Sequence, residues 1–272
     1  MKQEEVLTLA PKSSNRRTFL KGAGFAGIGL ATVGMIDSKF GAKEQTVHAS
    51  AYGDAEILNF ALNLEYLEAE FYLMATYGTT LVKSGVLKEW ETSGPTTGGN
   101  MVRSFGKSPA AYIASALRID EVNHVKDLRA ALGSAAVKKP AINLNALGYG
   151  YSSVNSFLKL SRQFEDVGVS AYLGAAPLIS SSKYLAAAAA ILATEAQHSG
   201  SIRTLCVMFD ADSPAVDSLD VPPTSSNPFD VNSNALSIPR TPAQVLNIVY
   251  HGGNCSGGFY PDGMNGSIVC KS

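Results

Sequence analysis

Two tetrapeptides constrain this chain more than any other feature: Glu121-Val122-Asn123-His124 and Glu195-Ala196-Gln197-His198. Each lies where apolar residues recur at helical spacing, with Leu117 and Leu128 flanking the first and Leu192 and Ile202 the second. Residues three apart on a helix share a face, about 5–6 Å between Cβ atoms. Each tetrapeptide therefore sets a carboxylate and an imidazole side by side within an apolar stripe. A charge in such a stripe is costly unless it is paired or bound to a metal. One Glu-x-x-His is often only a solvated helix face. Two copies, in a chain with four histidines in all, point to one shared site.

Four segments carry helical periodicity, and most have recognisable limits. The first runs from Asp54, read as its N-cap, to Tyr77, with Gly78 as the stop. The second starts at Ser108-Pro109 and ends at Gly133. The third covers Ser153 to Ala176 and is stopped by Pro177, and the fourth covers Lys183 to Phe209. Each is long enough to cross a bundle of about 35 Å at ~1.5 Å per residue. The expected fold class is all-α, a four-helix bundle. Residues 79–107 form an insertion rich in Gly, Ser and Thr, and residues 134–152 form a long crossover. The third and fourth helices are nearly contiguous and should be antiparallel neighbours. Seven of the 12 prolines lie beyond Phe209, so residues 210–272 should be mostly irregular. That tail should still wrap on the bundle, because Val245, Leu246, Ile248, Val249, Phe259 and Tyr260 need burial.

The other two helices supply matching acids. Glu65 has Tyr72 seven residues on, and Glu165 has Tyr172 at the same spacing, two turns along one stripe. Glu68 also has inward-facing spacing on the first helix, but the echo at Glu165 favours Glu65. The chain thus repeats a unit: a helix with Glu and Tyr seven apart, then a helix with Glu-x-x-His. The candidate metal ligands are Glu65, Glu121, His124, Glu165, Glu195 and His198. One Glu from each of two helices with Glu-x-x-His from each of the other two is the ligand layout of di-iron and di-manganese carboxylate bundles. Tyr72 and Tyr172 read either as groups behind the ligands or as core aromatics, and His251, beside glycines in the tail, reads as a surface residue.

With those residues in that order, the chain resembles the ferritin-like superfamily. The stretch Ile57-Leu58-Asn59-Phe60-Ala61-Leu62-Asn63-Leu64-Glu65-Tyr66-Leu67-Glu68-Ala69-Glu70-Phe71-Tyr72 resembles the desiccation-related ferritin-like proteins in particular. So do Thr241-Pro242-Ala243-Gln244-Val245-Leu246-Asn247-Ile248-Val249-Tyr250 and Gly257-Gly258-Phe259-Tyr260-Pro261. The resemblance implies a ferritin-like bundle with a carboxylate-bridged pair of ions, two iron or alternatively two manganese. It implies dioxygen or peroxide as the small-molecule substrate, with oxidase, peroxidase or catalase-like chemistry in stress protection. The other class it leaves open is a non-catalytic stress or desiccation-related structural protein. Asp120 matches the bacterioferritin Asp-Glu-x-x-His pattern, in which the Asp orients a ligating His, whereas Thr194 stands at the matching place in the fourth helix. The insertion and the tail argue against assembly as an iron-storage cage.

The first fifty residues differ in kind. Ser14-Asn15-Arg16-Arg17-Thr18-Phe19-Leu20-Lys21 precedes a glycine-rich apolar run from Ala23 to Ile36 and small residues at Ala49-Ser50-Ala51. This resembles a twin-arginine export signal, and the run is too short to remain as a membrane helix. The expected organisation is a signal peptide at 1–51, a ferritin-like bundle at 52–209 and a C-terminal extension at 210–272, with a periplasmic or extracellular destination. Cleavage after residue 51 removes seven basic and four acidic residues from totals of 22 and 23, leaving a formal charge of −4. No basic cluster marks a nucleic-acid partner, and no membrane association is expected after cleavage. In an oxidising compartment Cys255 and Cys270 are placed to close a loop of about 16 residues, worth roughly 3 kcal/mol. Cys206 reads as a buried small hydrophobe.

Overall fold

Serines and a glycine at the ends of the periodic stretches set the helix limits. In the computed structural model, which describes residues 52–271, α1 covers Asp54–Tyr77 and α2 covers Pro109–Leu132, while α3 covers Val154–Ala175 and α4 covers Ser182–Met208. The side chains of Ser108, Ser153 and Ser181 accept hydrogen bonds from the N–H groups of Ala111, Ser156 and Tyr184, capping α2, α3 and α4. At the far end of α1, Gly78 takes the left-handed conformation at φ 63° and donates its N–H to the carbonyl of Met74. Asp54 is not the cap expected of it. Gly53 holds that position, its N–H donating to Glu56, and the Asp54 carboxylate instead accepts from the N–H groups of Ser180 and Ser181, tying the start of α4 to the start of α1.

The fold is all-α, a four-helix bundle. The tightest pairs are α1 with α2 and α3 with α4, and α1–α3 and α2–α4 contacts close the bundle. The insertion and the crossover are joined by two-residue strands, β1 at Thr96–Thr97 and β2 at Ile142–Asn143, paired in parallel. Together with the tail they cover the outer side of α1, so every residue from Ile57 to Leu73 is buried. The apolar stripe expected of α1 thus understates its burial, and its polar residues are matched individually. Asn59 donates to the carbonyl of Ala135 and accepts from the N–H of Val137. Glu70 accepts from Thr96 Oγ1 and the N–H of Leu81, and lies 3.9 Å from the buried Lys139. Leaving such groups unmatched costs roughly 1–3 kcal/mol each.

The tail belongs to the same compact unit as the bundle. It carries one short helix, α5 at Pro242–Val249, against α3, and it buries Val245, Leu246, Val249, Phe259 and Tyr260, with Ile248 half-buried. An ionic knot fixes its first part. Asp166 on α3 accepts from Arg203 at 2.5 Å and Ser199 at 2.6 Å, and Arg162 reaches both Asp166 and Asp220. Burial pushes the Asp166 carboxyl up to about 6, against the pull of Arg203 and Arg162. Cys255 and Cys270 form a disulfide that closes the end of the tail. Cys206 is buried on α4, and burial pushes its thiol up to about 12, a setting for packing and not for reactivity. The export motif at Arg16-Arg17 lies outside the described residues. No helix among the described residues is long and apolar enough to cross a membrane.

Candidate metal centre

Each of the four long helices turns its acidic positions toward one level of the core. Glu65 comes from α1, Glu121 and His124 from α2, Glu165 from α3, and Glu195 and His198 from α4. All four glutamates are inaccessible to solvent, and the two histidines are 7% and 4% exposed. The donor atoms fall into two overlapping sets. Glu65, Glu121, His124 and Glu195 offer one set with all atoms within 4.8 Å of one another, and Glu121, Glu165, Glu195 and His198 offer a second. Glu121 and Glu195 belong to both sets, while Glu65 and Glu165 belong to one each. The Glu of each Glu-x-x-His is thus the shared carboxylate, and the lone glutamates of α1 and α3 are the outer ones.

The contacts repeat this two-part order. His124 Nδ1 lies 3.2 Å from an oxygen of Glu65, of Glu121 and of Glu195. His198 Nδ1 lies 2.9 Å from Glu121, 3.3 Å from Glu165 and 3.9 Å from Glu195. The ring centroids are 5.9 Å apart. Several of these approaches lack hydrogen-bond geometry: Glu121 Oε1, Glu165 Oε2, both oxygens of Glu195 and His198 Nδ1 have no hydrogen-bond partner despite complete burial. Orphaned buried polar atoms are rare, and five at one place call for an explanation.

The two tyrosines are crossed between the halves. Tyr72 of α1 donates its hydroxyl to Glu165 of α3, and Tyr172 of α3 donates to Glu65 of α1 at 2.5 Å. The seven-residue spacing therefore marks a reciprocal brace in which each tyrosine steadies the outer glutamate of the opposite helix. Burial and those carboxylates push both phenols well above their ordinary range, so they remain hydrogen-bond donors. Behind His198, Nε2 lies 3.2 Å from Asp120 Oδ2, the carboxylate expected to orient a histidine. Thr194 turns its hydroxyl back to the carbonyl of Ala190. Glu68, ranked behind Glu65 in the sequence, belongs to neither donor set, yet it is 4% exposed and beside the site. His251 is exposed, as expected.

Electrostatically, the buried carboxyl groups and imidazoles shift one another strongly. Burial, followed by repulsion from neighbouring glutamates, raises Glu68 and Glu195 well above the carboxylate range and Glu121 to about 7. Burial alone would discharge both histidines, but the surrounding glutamates overcome it. Glu121 and Glu165 push His198 up to about 12, and Glu65, Glu121 and Glu195 push His124 further still. Without a metal the carboxylates thus draw protons onto the imidazoles, which balance the buried negative charge from within the cluster.

The family model described as ferritin-like domain matches residues 53–207, α1 through nearly all of α4. The chain belongs to the ferritin-like domain family. It is also similar to the ferritin-like catalase Nec2 of Nesocodon mauritianus, 25% identical over 268 aligned positions that cover 79% of this chain and 85% of that protein. Within the ferritin-like bundle, the matched region contains all six residues of the two donor sets.

Proposed function

We propose that the chain is a peroxide-consuming oxidoreductase with a carboxylate-bridged pair of iron ions, manganese being the alternative, held by Glu65, Glu121, His124, Glu165, Glu195 and His198. One observation carries this reading: five buried donor atoms at the centre of the bundle have no hydrogen-bond partner, and all belong to residue types that bind these metals. The residues fit the group. Two shared and two outer carboxylates with one imidazole on each side supply a donor set for two ions. When bound, such ions supply redox equivalents and a Lewis-acidic place for a small oxygen species. The similarity to a ferritin-like catalase supports peroxide as that species.

The protein's own contribution is orientation and exclusion of water. Tyr72 and Tyr172 hold the outer glutamates through their hydroxyls, leaving the second oxygen of each carboxylate for the centre. Asp120 accepts the Nε2 proton of His198, which fixes the tautomer that exposes Nδ1 to the site. Complete burial of the carboxylates keeps bulk water away and strengthens every charge interaction there.

Export through the twin-arginine route to the periplasm or the exterior, and a role in stress or desiccation, belong to the same proposal. Elemental analysis of the exported protein, combined with oxygen evolution from added hydrogen peroxide, tests the core of it. Two metal ions per chain and peroxide loss are expected. Metal-free protein that takes up neither iron nor manganese would contradict the reading. For the export route, replacing Arg16 and Arg17 by Lys should leave precursor in the cytoplasm, and normal export of that double variant would refute it.

A further inference from the structure

Beside the centre, between α1, α3 and the tail, lies a cavity of about 360 Å³. Its walls are apolar, with Leu67, Phe164, Val167 and Phe259 among them, and exposed Ala215 and His251 stand at its rim. That volume is far more than a peroxide or dioxygen molecule needs. An engineered cavity of about 150 Å³ lined by similar side chains holds a benzene molecule, so a cavity more than twice as large has room for two fused rings.

One charged residue type faces this space from deep within it. Glu68 is 4% exposed, lines the cavity and accepts no hydrogen bond from any described residue. Its inner neighbour on the wall is Gly168. A Cβ there would come within 2.7 Å of Glu195 Oε2 and 3.2 Å of Glu68 Oε1. The lack of a side chain at Gly168 therefore leaves room for the carboxyl groups of Glu68 and Glu195 against the backbone of α3. An apolar chamber with one buried, unpartnered acceptor is the layout of a small-molecule site, in which the walls bind the body of the ligand and the polar group sets its orientation.

We propose that this cavity is a binding site for a compact apolar molecule of about two rings carrying a hydroxyl, seated with the hydroxyl donating to Glu68 and its body against Phe164 and Phe259. An anionic ligand is disfavoured, because its charge would be buried in an apolar chamber with no cationic partner on its walls. The site concerns binding and stands whether or not the neighbouring residues hold metal. It gives the peroxide-consuming reading a place for an organic molecule next to the centre.

The probe is 2-naphthol, titrated by its own fluorescence into the exported protein, with naphthalene and 2-naphthoate as comparisons. One equivalent should bind, at least about 10-fold more tightly than either comparison, as expected for one hydrogen bond to a charged or buried carboxyl group. Ala215→Trp, at the exposed rim, should weaken 2-naphthol at least 10-fold with metal content unchanged. Glu68→Leu should keep naphthalene binding and erase the preference for the hydroxyl, and Glu68→Gln, which retains the size and an acceptor, should reduce it partly. Absence of 2-naphthol binding, wild-type affinity in Ala215→Trp, or a preference that survives both Glu68 variants would overturn the proposal. Metal content measured on the same samples tests the di-metal reading separately.

Discussion

The two halves of the centre use the same ligand types from the same repeated sequence unit, yet they are supported differently. On the His198 side, Asp120 lies 3.2 Å behind the imidazole and gives its Nε2 an acceptor. On the His124 side, the equivalent place on α4 is Thr194, whose hydroxyl is committed to the carbonyl of Ala190. The tyrosine braces, in contrast, are reciprocal, Tyr72 on Glu165 and Tyr172 on Glu65. The two halves share what shapes the carboxylates and differ in what orients the imidazoles. The two metal positions should therefore be alike in geometry and unequal in affinity.

The largest effect should come from the residues common to both halves. Glu195→Ala or Glu121→Ala removes a member of both donor sets, so either should abolish binding of both ions, read by elemental analysis, whereas Glu65→Ala or Glu165→Ala should cost mainly one. Retention of two ions in Glu195→Ala would break the assignment of that glutamate as shared.

Next in size are the histidines. His198→Ala and His124→Ala should each lower the metal stoichiometry and the melting temperature of loaded protein together. A site at 100 times its dissociation constant contributes about 2.7 kcal/mol, which is roughly 5–10 °C in a domain of this size. His251→Ala, at the exposed rim of the tail, should change neither. A melting shift without loss of metal would mean that the histidines serve packing alone.

The asymmetry itself is tested by Asp120→Asn, which should weaken one ion about 10–100-fold and leave the other near wild type. Thr194→Asp should move the weaker site toward the stronger. Calorimetric titration separates the two steps, and equal affinities in wild type would remove the distinction drawn between the halves. Proton uptake sharpens the same comparison. The carboxylates hold His198 at about 12 and His124 higher, so both imidazoles are protonated at pH 7 without metal. Each must lose its proton to bind, so loading should release at least two protons per chain and affinity should fall as pH falls. Metal binding with no proton release, measured in buffers of different ionisation enthalpy, would contradict this.

The helices and the six clustered residues were legible because both rest on short-range spacing. Glu121 with His124 and Glu195 with His198 are three apart on buried faces, and serine caps sit where the apolar period begins. The division of the glutamates into shared and outer members was not legible, since it depends on how four helices meet. Nor was the crossing of Tyr72 and Tyr172, whose spacing within one helix says nothing about which opposite helix each reaches. Burial of α1 on all sides follows from β1, β2 and the tail, which are too short or too irregular to leave a periodic signal. Asp54 looked like an N-cap from its position before an apolar run, but Gly53 with Glu56 fills that role and frees Asp54 to hold the start of α4. The cavity-facing position of Glu68 beside Gly168 had no sequence signature.

The most direct test is a calorimetric titration of ferrous or manganous ion into chelator-treated protein, with the bound metal counted afterwards and the melting temperature recorded before and after. Two ions per chain, bound in two unequal steps with a raised melting temperature, are the predicted result. No uptake, or an unchanged melting temperature on chelation together with two ions still carried by His198→Ala, would contradict a metal centre built from these residues.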